Sequence, residues 1–172
     1  VATCAGSTCH GRGEGNGVTV RQDELATWQN PSAQGGAHSR AYAALASARG
    51  ARIAGALGLG AATSAPACLG CHATHAAPAQ RGERFQLSDG VGCESCHGPS
   101  GGWLASHYAV GGSHAGNVAA GMVALEKPAV RAGVCLDCHF GSDKPGHFVT
   151  HQMMAAGHPR VAYELDRSEE HT

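Results

Sequence analysis

Cys93-Glu94-Ser95-Cys96-His97 is the stretch whose reading decides this fold, because its pattern recurs along the chain. Cys68-Leu69-Gly70-Cys71-His72 lies upstream of it and Cys135-Leu136-Asp137-Cys138-His139 downstream. A stretched version opens the chain, where Cys4 and Cys9 enclose four residues and His10 follows directly. Together the four sites use all eight cysteines of the 172-residue chain. C-x-x-C-H is the attachment site of a c-type haem. Each thiol adds across one vinyl group, and the histidine beside the second cysteine is thereby held under the iron as proximal ligand.

Zinc ribbons and disulfides also use cysteines at such spacings. Neither needs a histidine after every second cysteine. With 12 histidines in 172 residues, chance does not place one at all four positions. Four covalent haems c are therefore expected, held by thioethers from Cys4, Cys9, Cys68, Cys71, Cys93, Cys96, Cys135 and Cys138. The proximal ligands are His10, His72, His97 and His139. In the stretched site the longer loop must bulge to keep both sulfurs in reach.

Composition fits a chain built around macrocycles. Its length suits one domain, residues 1–172. Aromatic residues make up only 5%, against 26 glycines. So few large side chains cannot fill an interior to normal density; four porphyrins would. The expected class is mainly α with much irregular coil and almost no β, a small multihaem cytochrome c fold. The polypeptide carries −1 formally, and two propionates on each haem push the loaded protein to roughly −5 to −9, depending on redox state. Lys127 and Lys144 are the only lysines, so arginine supplies the other cations; guanidinium forks suit pairing with propionates. No basic patch points to nucleic acid. The most apolar window, residues 53–62, is far too short to span a membrane. Val1 lies almost on top of the first motif, and haem attachment takes place outside the bacterial cytoplasm. The expectation is an exported chain, periplasmic or extracellular, whose signal peptide is gone.

Helices are expected at residues 21–28, at 38–49 with Gly50 as the C-terminal cap, at 118–127 before Pro128, and at 148–156 before Gly157. Each strict motif should open or close a short helix. Eight histidines remain beyond the proximal four: His38, His75, His107, His114, His147, His151, His158 and His171. That surplus favours bis-histidine irons. The three methionines more often fill gaps than ligate.

The chain resembles the tetrahaem cytochrome c-554 family, electron acceptors of hydroxylamine oxidoreductase and their multihaem relatives. The resemblance rests on Trp28, on His38-Ser39-Arg40-Ala41-Tyr42, on the Cys68 site, on the run from Gly90 to Pro99 followed by His107, and on the Cys135 site. The stretched first site and the segment from Thr150 to Pro159 depart from that pattern. The resemblance implies that His107 is the distal ligand of the first haem, opposite His10, and that His38 serves the last, opposite His139. It implies a five-coordinate second haem, and a third that takes its distal histidine from beyond the fourth site, here His151 or His158. Because the pattern breaks there, the expected arrangement gives His151 and His158 to the haems of His72 and His97, in an open order. His147, one turn before His151, is then the spare, and His75 is too close to His72 to serve its haem. The leading function is electron transfer between a redox donor and an acceptor protein through closely packed haems, with no catalytic residues. The competing classes are a nitrogen- or sulfur-oxide reductase using one open iron, and self-association into an extracellular filament or larger complex.

Overall fold

A computed structural model describes residues 1–33, 36–161 and 163; His171 lies outside them. Among these residues the chain forms only helices, turns and coil, with no strand. The helices are short: α1 (Glu24–Gln29), α2 (Gly36–Ser39), α3 (Ala41–Leu45), α4 (Ala48–Ala56), α5 (Pro66–His72), α6 (Cys93–His97), α7 (Leu104–His107), α8 (His114–Ala119), α9 (Pro128–His139) and α10 (His151–Ala155). Each strict motif closes a helix, since α5, α6 and α9 all end on the motif histidine. Pro66 and Pro128 start α5 and α9 at the first position, where the missing N–H costs nothing. The stretched first motif lies in turns instead.

All four helices expected from sequence have different bounds, the first running from Glu24 to Gln29 instead of over residues 21–28. Residues 38–49 do not form one helix. Ser47 breaks the run and caps α4, its side chain accepting from the Gly50 N–H. Gly50 therefore sits inside a helix, where an added Cβ would strike the Leu45 carbonyl. The 118–127 helix lies earlier, as α8, capped by Ser113 and stopped before Gly121 at φ +108°. The last helix begins at Thr150, whose hydroxyl accepts from the Met153 N–H, and stops before Gly157 at φ +104°.

The core is thin. Leu45, Ala54, Ala62, Leu69 and Ala73 form its buried centre, with Tyr42, Leu59 and Leu87 against them. Among the described residues no large side chain is fully buried. α3 joins α4 and α5 around this centre, α1 packs on α2, and α7 on α8. Gly90 shows how tightly distant segments meet: at φ +70°, a Cβ there would stand 2.5 Å from the His38 carbonyl, which accepts from Val91 N–H. That contact fixes the His38 segment against the third motif.

Candidate haem centres

Three of the four motif histidines face a second imidazole. His10 and His107 have ring centroids 6.0 Å apart and planes 15° from parallel. His38 and His139 are 6.1 Å apart, and His72 and His158 6.2 Å apart, both with planes at 86°. Two metal–nitrogen bonds of about 2.0 Å, with roughly 1.1 Å from each nitrogen to its ring centre, span about 6.2 Å. Each pair is thus spaced to take one iron between its rings.

The outer nitrogens agree. His10 Nδ1 lies 2.9 Å from Glu24 Oε2, His72 Nδ1 is 2.8 Å from the Ala41 carbonyl, and His158 Nδ1 is 2.7 Å from that of Pro159. With acceptors at Nδ1, each ring donates there and keeps the Nε2 lone pair free for a metal. His139 Nδ1 is buried without a hydrogen bond. Burial, then the nearby His139, pushes His38 below the ordinary histidine range, towards the neutral form that ligation needs. These donor sets fit haem.

α1 positions Glu24 below His10, and Leu25 N–H donates to the His10 carbonyl. His107 ends α7, one helical turn after Trp103, whose ring meets it edge-on at 5.6 Å. Asn117 Nδ2 lies 3.4 Å from His107 Nδ1. His158 comes into place because Gly157 turns the chain and Arg49 Nε donates to its carbonyl at 3.1 Å.

His151 behaves differently. It is the exposed first residue of α10, and among the described residues its ring meets neither His72 nor His97. His75 is likewise exposed, and His114 bonds the surface carboxylate of Glu126 at 3.1 Å.

The cysteines of different motifs converge. Cys4 donates to Cys93, which drives the Cys4 thiol well up and brings Cys93 down to about 6. Cys138 donates to Cys71, raising Cys138 and lowering Cys71. Cys96 feels the charge of Cys135. The ligand atoms of Cys71, Cys138 and His147 lie within 4.8 Å of one another, a spacing that a soft metal would also accept. The two sulfurs belong to separate haem motifs, however, and each is consumed as a thioether on attachment.

The sequence reading missed Glu24, Ala41, Asn117 and Asp137 as partners of these groups. Only Trp103 carried a signal, its four-residue spacing from His107.

Cysteine pairs that each end on a histidine, on a scaffold that is helical and without strands among the described residues, define a c-type cytochrome, an electron carrier with covalently bound haem. The chain belongs to the family described as cytochrome c554 and c-prime, whose profile matches residues 3–98, more than half of it. No curated protein and no solved structure gives a match. Cytochromes of this kind are typically exported, and among the described residues no helix is long and apolar enough to cross a membrane.

Proposed function

We propose that residues 1–172 form one tetrahaem unit that passes electrons between a donor and an acceptor protein in the periplasm or outside the cell. The observation that carries this reading is the three imidazole pairs, each joining a motif histidine to a distant one at the spacing of a bis-histidine iron. Bound haem supplies a reversible one-electron couple, and the chain's residues set where and at what potential it operates. His10 with His107, His72 with His158, and His139 with His38 would close three irons against exchange. Glu24 and the Ala41 and Pro159 carbonyls hold rings in the ligating tautomer. The sulfur contacts supply an order: Cys4 beside Cys93 joins the first site to the third, Cys96 near Cys135 the third to the fourth, and Cys71 beside Cys138 the fourth to the second. Electrons would run along that series.

The test is a pyridine haemochrome count with circular dichroism of chain made with and without haem maturation. Four haems per chain and a disordered haem-free chain are expected, since the thin core buries too little apolar surface to offset chain entropy. Fewer than four haems, or a cooperatively melting apoprotein, would overturn the reading.

A further inference from the structure

We propose that Trp103 Nε1 and Arg12 Nε hold one propionate carboxylate of the first haem, and that Trp103 thereby sets the position and potential of that haem. The inference rests on the tetrahaem reading at the first site alone. Trp103 is only 5% exposed, yet its Nε1 is buried without a hydrogen-bond partner. A buried indole N–H nearly always finds an acceptor. Trp28 shows the usual outcome, since its Nε1 donates to the Val91 carbonyl at 2.9 Å. The backbone of Trp103 is fully used: its N–H donates to the Ser100 carbonyl, and its own carbonyl accepts from His107 N–H. The indole N–H is thus the one donor of this residue left for a bound group.

Position ties this donor to the first site. The Trp103 ring meets His107 edge-on at 5.6 Å, and His107 faces His10 across 6.0 Å. Arg12 stands two residues beyond His10, and its Nε is likewise buried without an acceptor. Each ligand of the same iron therefore has one orphaned N–H close to it in the chain. The acceptors of this region are already engaged. Glu24 accepts from His10 Nδ1 and from Arg21 N–H, and Asp23 pairs with the Arg21 guanidinium. Glu94 Oε1 accepts from Ser100 N–H, and Asn117 Oδ1 from Ser106 Oγ.

A neutral N–H and a guanidinium N–H can share a carboxylate, which offers two oxygens and a charge that the guanidinium pairs with. Each c-type haem brings two such groups, on the edge away from its thioethers. The two donors draw negative charge off the propionate they hold. Without them that charge would stabilise the nearby ferric iron more strongly, so the pair raises the potential of the first haem. Trp103 is a positioning residue with two handles, its ring edge for His107 and its N–H for the propionate.

Ultraviolet resonance Raman of the loaded wild-type protein tests this, because indole bands report N–H hydrogen bonding. Both tryptophans should read as hydrogen-bonded, Trp28 to Val91 and Trp103 to the propionate. One free indole N–H would overturn the proposal. So would a Trp103 band that shifts when inorganic phosphate is added or dialysed away, since the acceptor would then be a free anion. In spectropotentiometric titration W103F and R12Q should each lower the potential of the first haem alone, keeping four haems and the low-spin EPR signal of that site. An unchanged potential in W103F refutes the proposal. A shift accompanied by loss of that signal also refutes it, because Trp103 would then act only through His107. Should W103F not mature, the wild-type Raman bands decide. Mass spectrometry separates this from the tetrahaem reading. A peptide holding Cys4 and Cys9 without haem removes the first site itself, whereas a haem-bearing peptide with a free Trp103 N–H sinks this proposal alone.

Discussion

The sites of His10, His72 and His139 differ from that of His97 in what holds them. The first three are each crossed by an imidazole from a remote part of the chain. His97 is pinned by backbone: its carbonyl accepts from Val123 N–H at 2.9 Å, and Gly98 at φ +81° comes so close that a Cβ would stand 2.9 Å from the Gly121 carbonyl. The imidazoles whose charge it feels are His10 and His107, which already face each other. A fold with so little apolar core can use metal–imidazole bonds as its long-range ties, and at the third site backbone packing does that work instead.

The strongest way to break this comparison is to remove the crossing rings. H38A, H107A and H158A should each convert one haem, and only one, from low-spin to high-spin or water-ligated, because the thioethers keep the other macrocycles in place. H151A should leave all signals unchanged. EPR of the four variants reads this directly, and a low-spin signal lost in H151A would return that residue to the third iron.

The next effect concerns ligand binding at the His97 haem itself. With no imidazole opposite it among the described residues, it should be the one that binds carbon monoxide when reduced, at one equivalent per four haems. Optical titration measures that stoichiometry. If the intact protein binds none, the distal ligand comes from outside the described residues, where His171 is the only histidine. H171A would then open the site.

How much of this was readable from sequence depends on the range of each interaction. The motif cysteines and histidines are local, one to six residues apart, so the sequence declares them. His38 and His107 came through the family resemblance, not through any pattern of their own. That His158 and not His151 faces His72 was hidden because it is set by the chain's path after Gly157 and by Arg49 holding the Gly157 carbonyl. Gly50 read as a helix stop, but the Ser47 hydroxyl moved the boundary by capping α4. A strong local cap outweighs the usual C-terminal meaning of a glycine.

A subtler contrast lies among the closed sites. In the first, the ring planes are nearly parallel at 15°, so with haem bound both rings would act on the same iron d orbital and split it from its partner. In the second and fourth the planes cross at 86°, so with haem bound both orbitals would receive alike and remain close in energy. Ferric EPR should therefore show one rhombic low-spin signal beside two of large anisotropy. Loss of the rhombic signal alone in H107A would assign it, and three rhombic signals would contradict the ring geometry.

The smallest effect is expected at Glu24, which would tune a single iron. Its carboxylate accepts from His10 Nδ1 at 2.9 Å and would so increase that ring's donation to a bound iron, favouring the ferric state. E24Q should raise the potential of the first haem only. A charge-assisted hydrogen bond contributes about 1.5–3 kcal/mol. Glu24 is 44% exposed, so screening reduces this to about 1 kcal/mol, or roughly 40 mV for one electron. The same carboxylate adds a pH dependence of known sign. Burial raises its pKa, but hydrogen bonds from His10 and from the backbone of residues 21, 22 and 24 outweigh that and hold it below the ordinary glutamate value. Its contribution is therefore present above the ordinary carboxylate range and is lost as pH falls through the lowered pKa. Wild type and E24Q should converge in first-haem potential at acid pH and separate towards neutrality. A constant difference across that range would show that Glu24 acts by packing and not by charge.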